Sequence, residues 1–119
     1  MARVLIVDDS PSQLIGLKRI AEKLGHEVIT AEDGSAGVEV AKRELPDLIL
    51  MDVVMPNLNG FQATRTLAKD PKTSHIPIIL VTTKDQETDR VWGMRQGAHD
   101  YVTKPVDQPA LLAKIAALP

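Results

Sequence analysis

The chain has 119 residues, 44% hydrophobic and 25% charged, with a formal net charge of −2 and no cysteine. This length supports one domain around one core, and the balance excludes disorder and a membrane span. The slightly acidic charge, with no basic stripe, argues against nucleic acid as the main partner, and the lack of cysteine leaves only oxygen or imidazole ligands for any metal.

The amino terminus, MARVLIVDD, is too short for a signal peptide, so the chain is expected to stay in the cytoplasm without inserting into a membrane. Arg3 to Val7 reads as a first apolar strand ending in Asp8-Asp9. Ser10-Pro11 then looks like an N-cap with proline in the first turn of a helix. That helix carries Leu14, Leu17, Ala21 and Leu24 at helical spacing, and Gly25 stands where a left-handed residue would end it. Glu27 to Ala31 is a short second strand. A helix capped by Asp33 follows, with Ala36, Val40 and Ala41 inward, and runs as far as Leu45-Pro46.

The stretch DLILMDVVMP, residues 47 to 56, places a third strand over Asp47 to Asp52. Its continuous apolar run fits a strand buried on both faces, which puts Asp52 at the rim of a core. A loop, VVMPNLN, leads to a helix capped by Asn59, with Phe61, Thr64, Leu67 and Ala68 inward. Ile76 to Thr82 is the fourth strand, and a polar helix over roughly Asp85 to Gln96 stops at Gly97. On that helix the core side is more naturally Val91 with Met94 or Arg95, and Trp92 is open to either a core-edge or a partner-contact role. His99 to Thr103 is a fifth strand broken by Lys104-Pro105. Asp107 then caps a last helix carrying Leu111, Leu112, Ile115 and Leu118.

Strand and helix alternate five times, which implies a doubly wound α/β sandwich of parallel strands. Ligands in such folds sit beyond the carboxyl ends of the strands, where strand order reverses. Those ends carry Asp8-Asp9, Asp52, Thr82-Thr83 and Thr103-Lys104. If the first and third strands are neighbours, three carboxylates converge, and their mutual repulsion calls for a cation. An all-oxygen donor set with room for water suits Mg²⁺, which usually bridges carboxylates to phosphate oxygens. Phosphoryl chemistry is thereby indicated, with Lys104 as a point charge and the Thr82 hydroxyl as a donor. A glycine-rich phosphate cradle and a general base are both missing, but an ionised carboxylate needs no base to act as a nucleophile, so Asp52 itself could accept the group.

The segments LIVDDS, LILMDVVMPNLNG, PIILVTT and DYVTKP, in this order and spacing, resemble the receiver domain of two-component response regulators over essentially the whole chain, 1–119. The resemblance implies a flavodoxin-like (CheY-like) three-layer fold with strand order 2-1-3-4-5. It implies Asp52 as phosphoacceptor, and Mg²⁺ held by Asp9, Asp52 and the Val54 carbonyl, with Asp8 acting through water. It further implies Thr82 as the switch hydroxyl, Tyr101 as the switch aromatic, and Lys104 as the phosphate-binding lysine, followed by a cis Lys104-Pro105 bond. The donor would be a CheA-like sensor histidine kinase, and the output a protein target on the face formed by the fourth helix, fifth strand and fifth helix. Such a regulator is no ordinary enzyme, although it promotes its own phosphorylation and dephosphorylation. The run VTTKDQETDRVWGMRQGAHDY more narrowly resembles the stand-alone, PilH-like regulators of type IV pilus (twitching) chemosensory systems. Val106 departs from the family pattern, where phenylalanine often follows the lysine-proline pair.

Simpler readings stand beside these. Asp8 or Asp9 alone would more often cap a helix, Asp52 alone would be a turn residue, and Thr82, Tyr101 and Lys104 singly are unexceptional. His26, His75 and His99 read as surface residues. The rival functions are a Mg²⁺-dependent phosphohydrolase, which would want a second acid where Val54 stands, a flavodoxin-like mononucleotide binder, whose phosphate Asp8-Asp9 would repel, and a pseudo-receiver scaffold.

Overall fold

Strands and helices alternate from end to end in the computed structural model, which describes residues 2–118. They run β1 (Arg3–Val7), α1 (Pro11–Lys23), β2 (Glu27–Ala31), α2 (Gly34–Glu44), β3 (Leu48–Met51), α3 (Gly60–Lys69), β4 (Ile78–Thr82), α4 (Glu87–Arg95), β5 (Asp100–Thr103) and α5 (Gln108–Ala116). All four strand pairings are parallel and the order is β2-β1-β3-β4-β5, the expected doubly wound flavodoxin-like sheet. Because β1, β3 and β4 lie inside the sheet, their side chains are buried on both faces, which explains their unbroken apolar runs.

Two apolar layers flank the sheet. On one side Val4, Ile6, Leu50 and Val81 meet Leu14 and Leu17 of α1 and Leu111 and Ile115 of α5. On the other, Leu5, Val7, Met51 and Leu80 meet Val38 and Ala41 of α2 and Ala63 and Leu67 of α3. The helix ends follow the sequence in part. Asp33 accepts from Ala36 N, and Asn59 with Gln62 forms a reciprocal capping box. Gly25 and Gly97 have φ of 80° and 113°, as their stop positions require.

Several expectations need correction. Ser10 and Asp107 occupy N-cap positions without side-chain caps, and Leu24 is exposed because the chain turns out at the end of α1. Ile76 is buried but precedes Pro77, and β4 starts only at Ile78. The main departure is α4. Val91, Met94 and Arg95 all point outward, and Gly93 is the buried contact. A Cβ there would come within 2.7 Å of Leu80 Cδ1 and 3.2 Å of Phe61 and Tyr101 ring carbons, so a missing side chain lets α4 rest on the sheet. Trp92 is left half exposed.

Candidate functional site

The backbone ladder continues past the strand ends and fixes the residues beyond them. Asp8 N donates to Ala31 O at 3.1 Å, Asp52 N to Val7 O at 2.9 Å, and Lys104 N to Thr82 O at 2.8 Å. Residues distant in sequence are thus held by the sheet itself at the point where strand order reverses.

There the side chains meet. Carboxylate oxygens of Asp8, Asp9 and Asp52 lie within 4.8 Å of one another. Lys104 Nζ is 2.6 Å from Asp8 Oδ2 and 3.5 Å from Asp52 Oδ2, and all three side chains are buried. The Val53 N–H donates to Asp52 Oδ1 at 2.7 Å and the Ser10 N–H to Asp8 Oδ1 at 2.9 Å, while Asp9 points to solvent. Burial raises the Asp52 pKa above the ordinary carboxylate value; Lys104 opposes that, Asp8 adds to it, and the Val53 N–H and Thr82 hydroxyl also lower it.

This donor set fits a hard divalent cation. One lysine stands against three carboxylates, the ligand atoms are all oxygen, and exposed Asp9 leaves one side open to water. Val54 is exposed, its side chain directed away from the core at the mouth of the site.

Thr82 is fully buried at the end of β4, and its Oγ1 accepts from Lys84 N at 3.2 Å. The Lys84 carbonyl in turn accepts from the Tyr101 hydroxyl at 2.7 Å. Burial pushes the Tyr101 phenol up to about 12, with Asp89, Asp52 and Asp85 adding to the shift. The Tyr101 ring is buried, 6% exposed, against the core. The Lys104-Pro105 bond is cis.

Three contributors were not singled out from the sequence. Two are backbone N–H donors, of Ser10 and Val53, which no residue type announces. The third is Gly60, where a Cβ would overlap the Asp52 carbonyl and crowd Val53 Cα. Its signal was the glycine directly after the Asn59 cap. Gly60→Ala is expected to cost roughly 2 kcal/mol through overpacking, lowering Tm by roughly 8 °C in a thermal melt.

A model of the response regulator receiver domain family matches residues 4–116. The chain belongs to that family. Receiver domains are signalling regulators that accept phosphate from histidine kinases and bind Mg²⁺ at an acidic pocket, and this receiver domain has a cluster of three aspartates, Asp8, Asp9 and Asp52. It is 63% identical to the protein PilH of Pseudomonas aeruginosa over 118 residues, covering 99% of this chain and 98% of PilH. It is 44% identical to the response regulator PleD of Caulobacter vibrioides, covering 98% of this chain but 26% of PleD. Among solved structures, the chemotaxis protein CheY4 of Vibrio cholerae superposes with a TM-score of 0.90 at 31% identity, over 98% of this chain and 97% of that one. The receiver domain of a sensor histidine kinase from Pseudomonas aeruginosa, with a magnesium ion in its active site cleft, gives 0.88 at 31% identity, over 96% and 93%. Among the described residues of this receiver domain, no helix is long and apolar enough to cross a membrane.

Proposed function

We propose that residues 1–119 act as a stand-alone, cytoplasmic response regulator that takes a phosphoryl group on Asp52 from a CheA-like histidine kinase, in chemosensory control of type IV pilus motility. The observation that carries the reading is the meeting of Asp8, Asp9, Asp52 and Lys104 at one end of the sheet. Similarity to PilH along nearly its whole length supports the stand-alone and pilus-related parts.

An Asp52 carboxylate oxygen attacks phosphorus, a P–O bond forms, and the P–N bond to the kinase histidine breaks with its electron pair leaving on nitrogen. Oδ1 is held by the Val53 N–H, which leaves Oδ2 beside Lys104 as the freer nucleophile. Mg²⁺, held by Asp9, Asp52 and the Val54 carbonyl with Asp8 acting through water, would supply positive charge to the phosphoryl oxygens. Lys104, bridging Asp8 and Asp52, adds a second fixed positive charge on the same side.

The switch then runs through Thr82. If its hydroxyl turns to a phosphoryl oxygen, the Lys84 N–H loses an acceptor, and the peptide whose carbonyl holds Tyr101 shifts with it. Local charge at Asp52 is thereby passed to the α4, β5 and α5 face, where a downstream protein would bind.

The test is incubation with Mg²⁺ and a small phosphodonor followed by intact-mass measurement. One added phosphoryl group, mapped to Asp52, is expected. Turnover of free donor without an adduct would indicate a phosphohydrolase, and no reaction a scaffold. The lifetime of the adduct provides a further prediction. Exposed, apolar Val54 cannot orient an attacking water, so Val54→Asn should shorten the half-life roughly tenfold, a small part of what positioning a reactant supplies. Mass spectra taken after donor removal would follow the decay.

A further inference from the structure

A trough of about 490 Å³ lies between α3 and α4, on a surface the proposed phosphotransfer does not use. Its floor is the close approach of Gly97 to Ala68; a Cβ on Gly97 would come within 2.7 Å of the alanine's. Its walls carry Arg65 and Lys69 of α3, and Trp92 and Arg95 of α4. No carboxylate lines it, and among the described residues none of these three cations forms an ion pair, unlike Arg3, Lys42, Lys84 and Lys104 elsewhere. On a chain with a net charge of −2 this is a local patch of positive charge.

The trough also has an apolar side. Trp92 is 50% exposed, with Ala68 beside it in the lining. An exposed tryptophan ringed by arginine is the composition that anchors protein interfaces. Small-molecule sites enclose most of their ligand, whereas here the indole and all three cations stand in solvent, so a nucleotide would be poorly held. Arg65 and Lys69 lie one helical turn apart, about 6 Å along the axis, a spacing that matches carboxylates one turn apart on another chain.

We propose that the α3/α4 trough docks an acidic segment of a partner protein, with carboxylates on Arg65, Lys69 and Arg95 and an apolar side chain against Trp92. The site shares α4 with the α4, β5 and α5 face but takes its other wall from α3, and the proposal does not rest on phosphorylation of Asp52.

The test uses a randomised twelve-residue phage-displayed peptide library. It is selected on the wild-type protein and counter-selected on the triple variant Arg65→Gln, Lys69→Gln, Arg95→Gln. All three positions are exposed, so the variant keeps its fold, checked by its melting curve. Recovered peptides should be rich in Asp and Glu around an apolar residue. They should shift the emission of Trp92, the chain's single tryptophan, and bind the variant at least about tenfold more weakly, with affinity falling as salt rises. Failure to recover any peptide, recovery without an excess of acids, or equal binding to the variant would overturn the proposal. So would ADP perturbing Trp92 as tightly as the best peptide, which would assign the trough to a nucleotide.

Discussion

Asp52→Asn should abolish the phosphoryl adduct while making the protein more stable. The amide offers no nucleophilic oxyanion, so intact-mass spectra taken with Mg²⁺ and a small phosphodonor should show the unmodified protein alone. An adduct persisting at wild-type yield would move the nucleophile to another carboxylate. The stability gain follows from burial. Asp52 is only 8% exposed, and burial, set against Lys104, leaves its pKa above the ordinary aspartate value. The folded state therefore holds the proton more tightly than the unfolded chain, and this favours folding at pH below the unfolded value of about 3.9. That contribution disappears as pH rises through the folded pKa, so at neutral pH ionised Asp52 opposes folding. Asparagine removes the charge and still accepts from Val53 N–H, giving a gain of about 1 kcal/mol, or roughly 4 °C in Tm. The gain should shrink on acidification, as the wild-type carboxyl becomes neutral too.

Lys104→Met should have the opposite effect on stability. The ammonium lies 2.6 Å from Asp8, which has no exposed surface, and 3.5 Å from Asp52. Removing it leaves two buried carboxylates without compensation, a loss of about 3 kcal/mol in metal-free buffer and of roughly 12 °C in Tm. Added Mg²⁺ should restore part of that loss, because a divalent ion replaces the missing charge. Phosphorylation of the variant should be slower by roughly a hundredfold, as for loss of one group stabilising transition-state charge. Melting curves with EDTA and with Mg²⁺ separate the two effects. A variant as stable as the wild type in EDTA would mean that the lysine is not what holds the acids together.

The fold was legible because apolar runs and helical spacing alternate without ambiguity. All ten elements appear where the pattern places them, with ends displaced by a residue or two. The strand-end constellation was legible for the same reason: once β1 and β3 are neighbours, Asp8, Asp9 and Asp52 have nowhere else to go. What the sequence hid was set by backbone and by packing without side chains. The Val53 and Ser10 N–H donors belong to the main chain, and Gly60 is needed only because α3 starts against the Asp52 carbonyl. On α4 the hydrophobic residues pointed to the wrong face, since the buried contact is a glycine and a helix with no apolar stripe gives periodicity nothing to read. Tyr101 was located correctly on β5, but its bond to the Lys84 carbonyl depends on a loop that residue types do not describe.

Seating a helix on Gly93 has a thermodynamic consequence. With no buried side chain between its ends, α4 holds little apolar surface against β4 and β5, and lifting it off sacrifices far less than unravelling β3. Its amides should exchange with deuterium through brief local openings, well before those of the central strands. An element that loosely attached responds to a stimulus worth only a small fraction of the global folding energy.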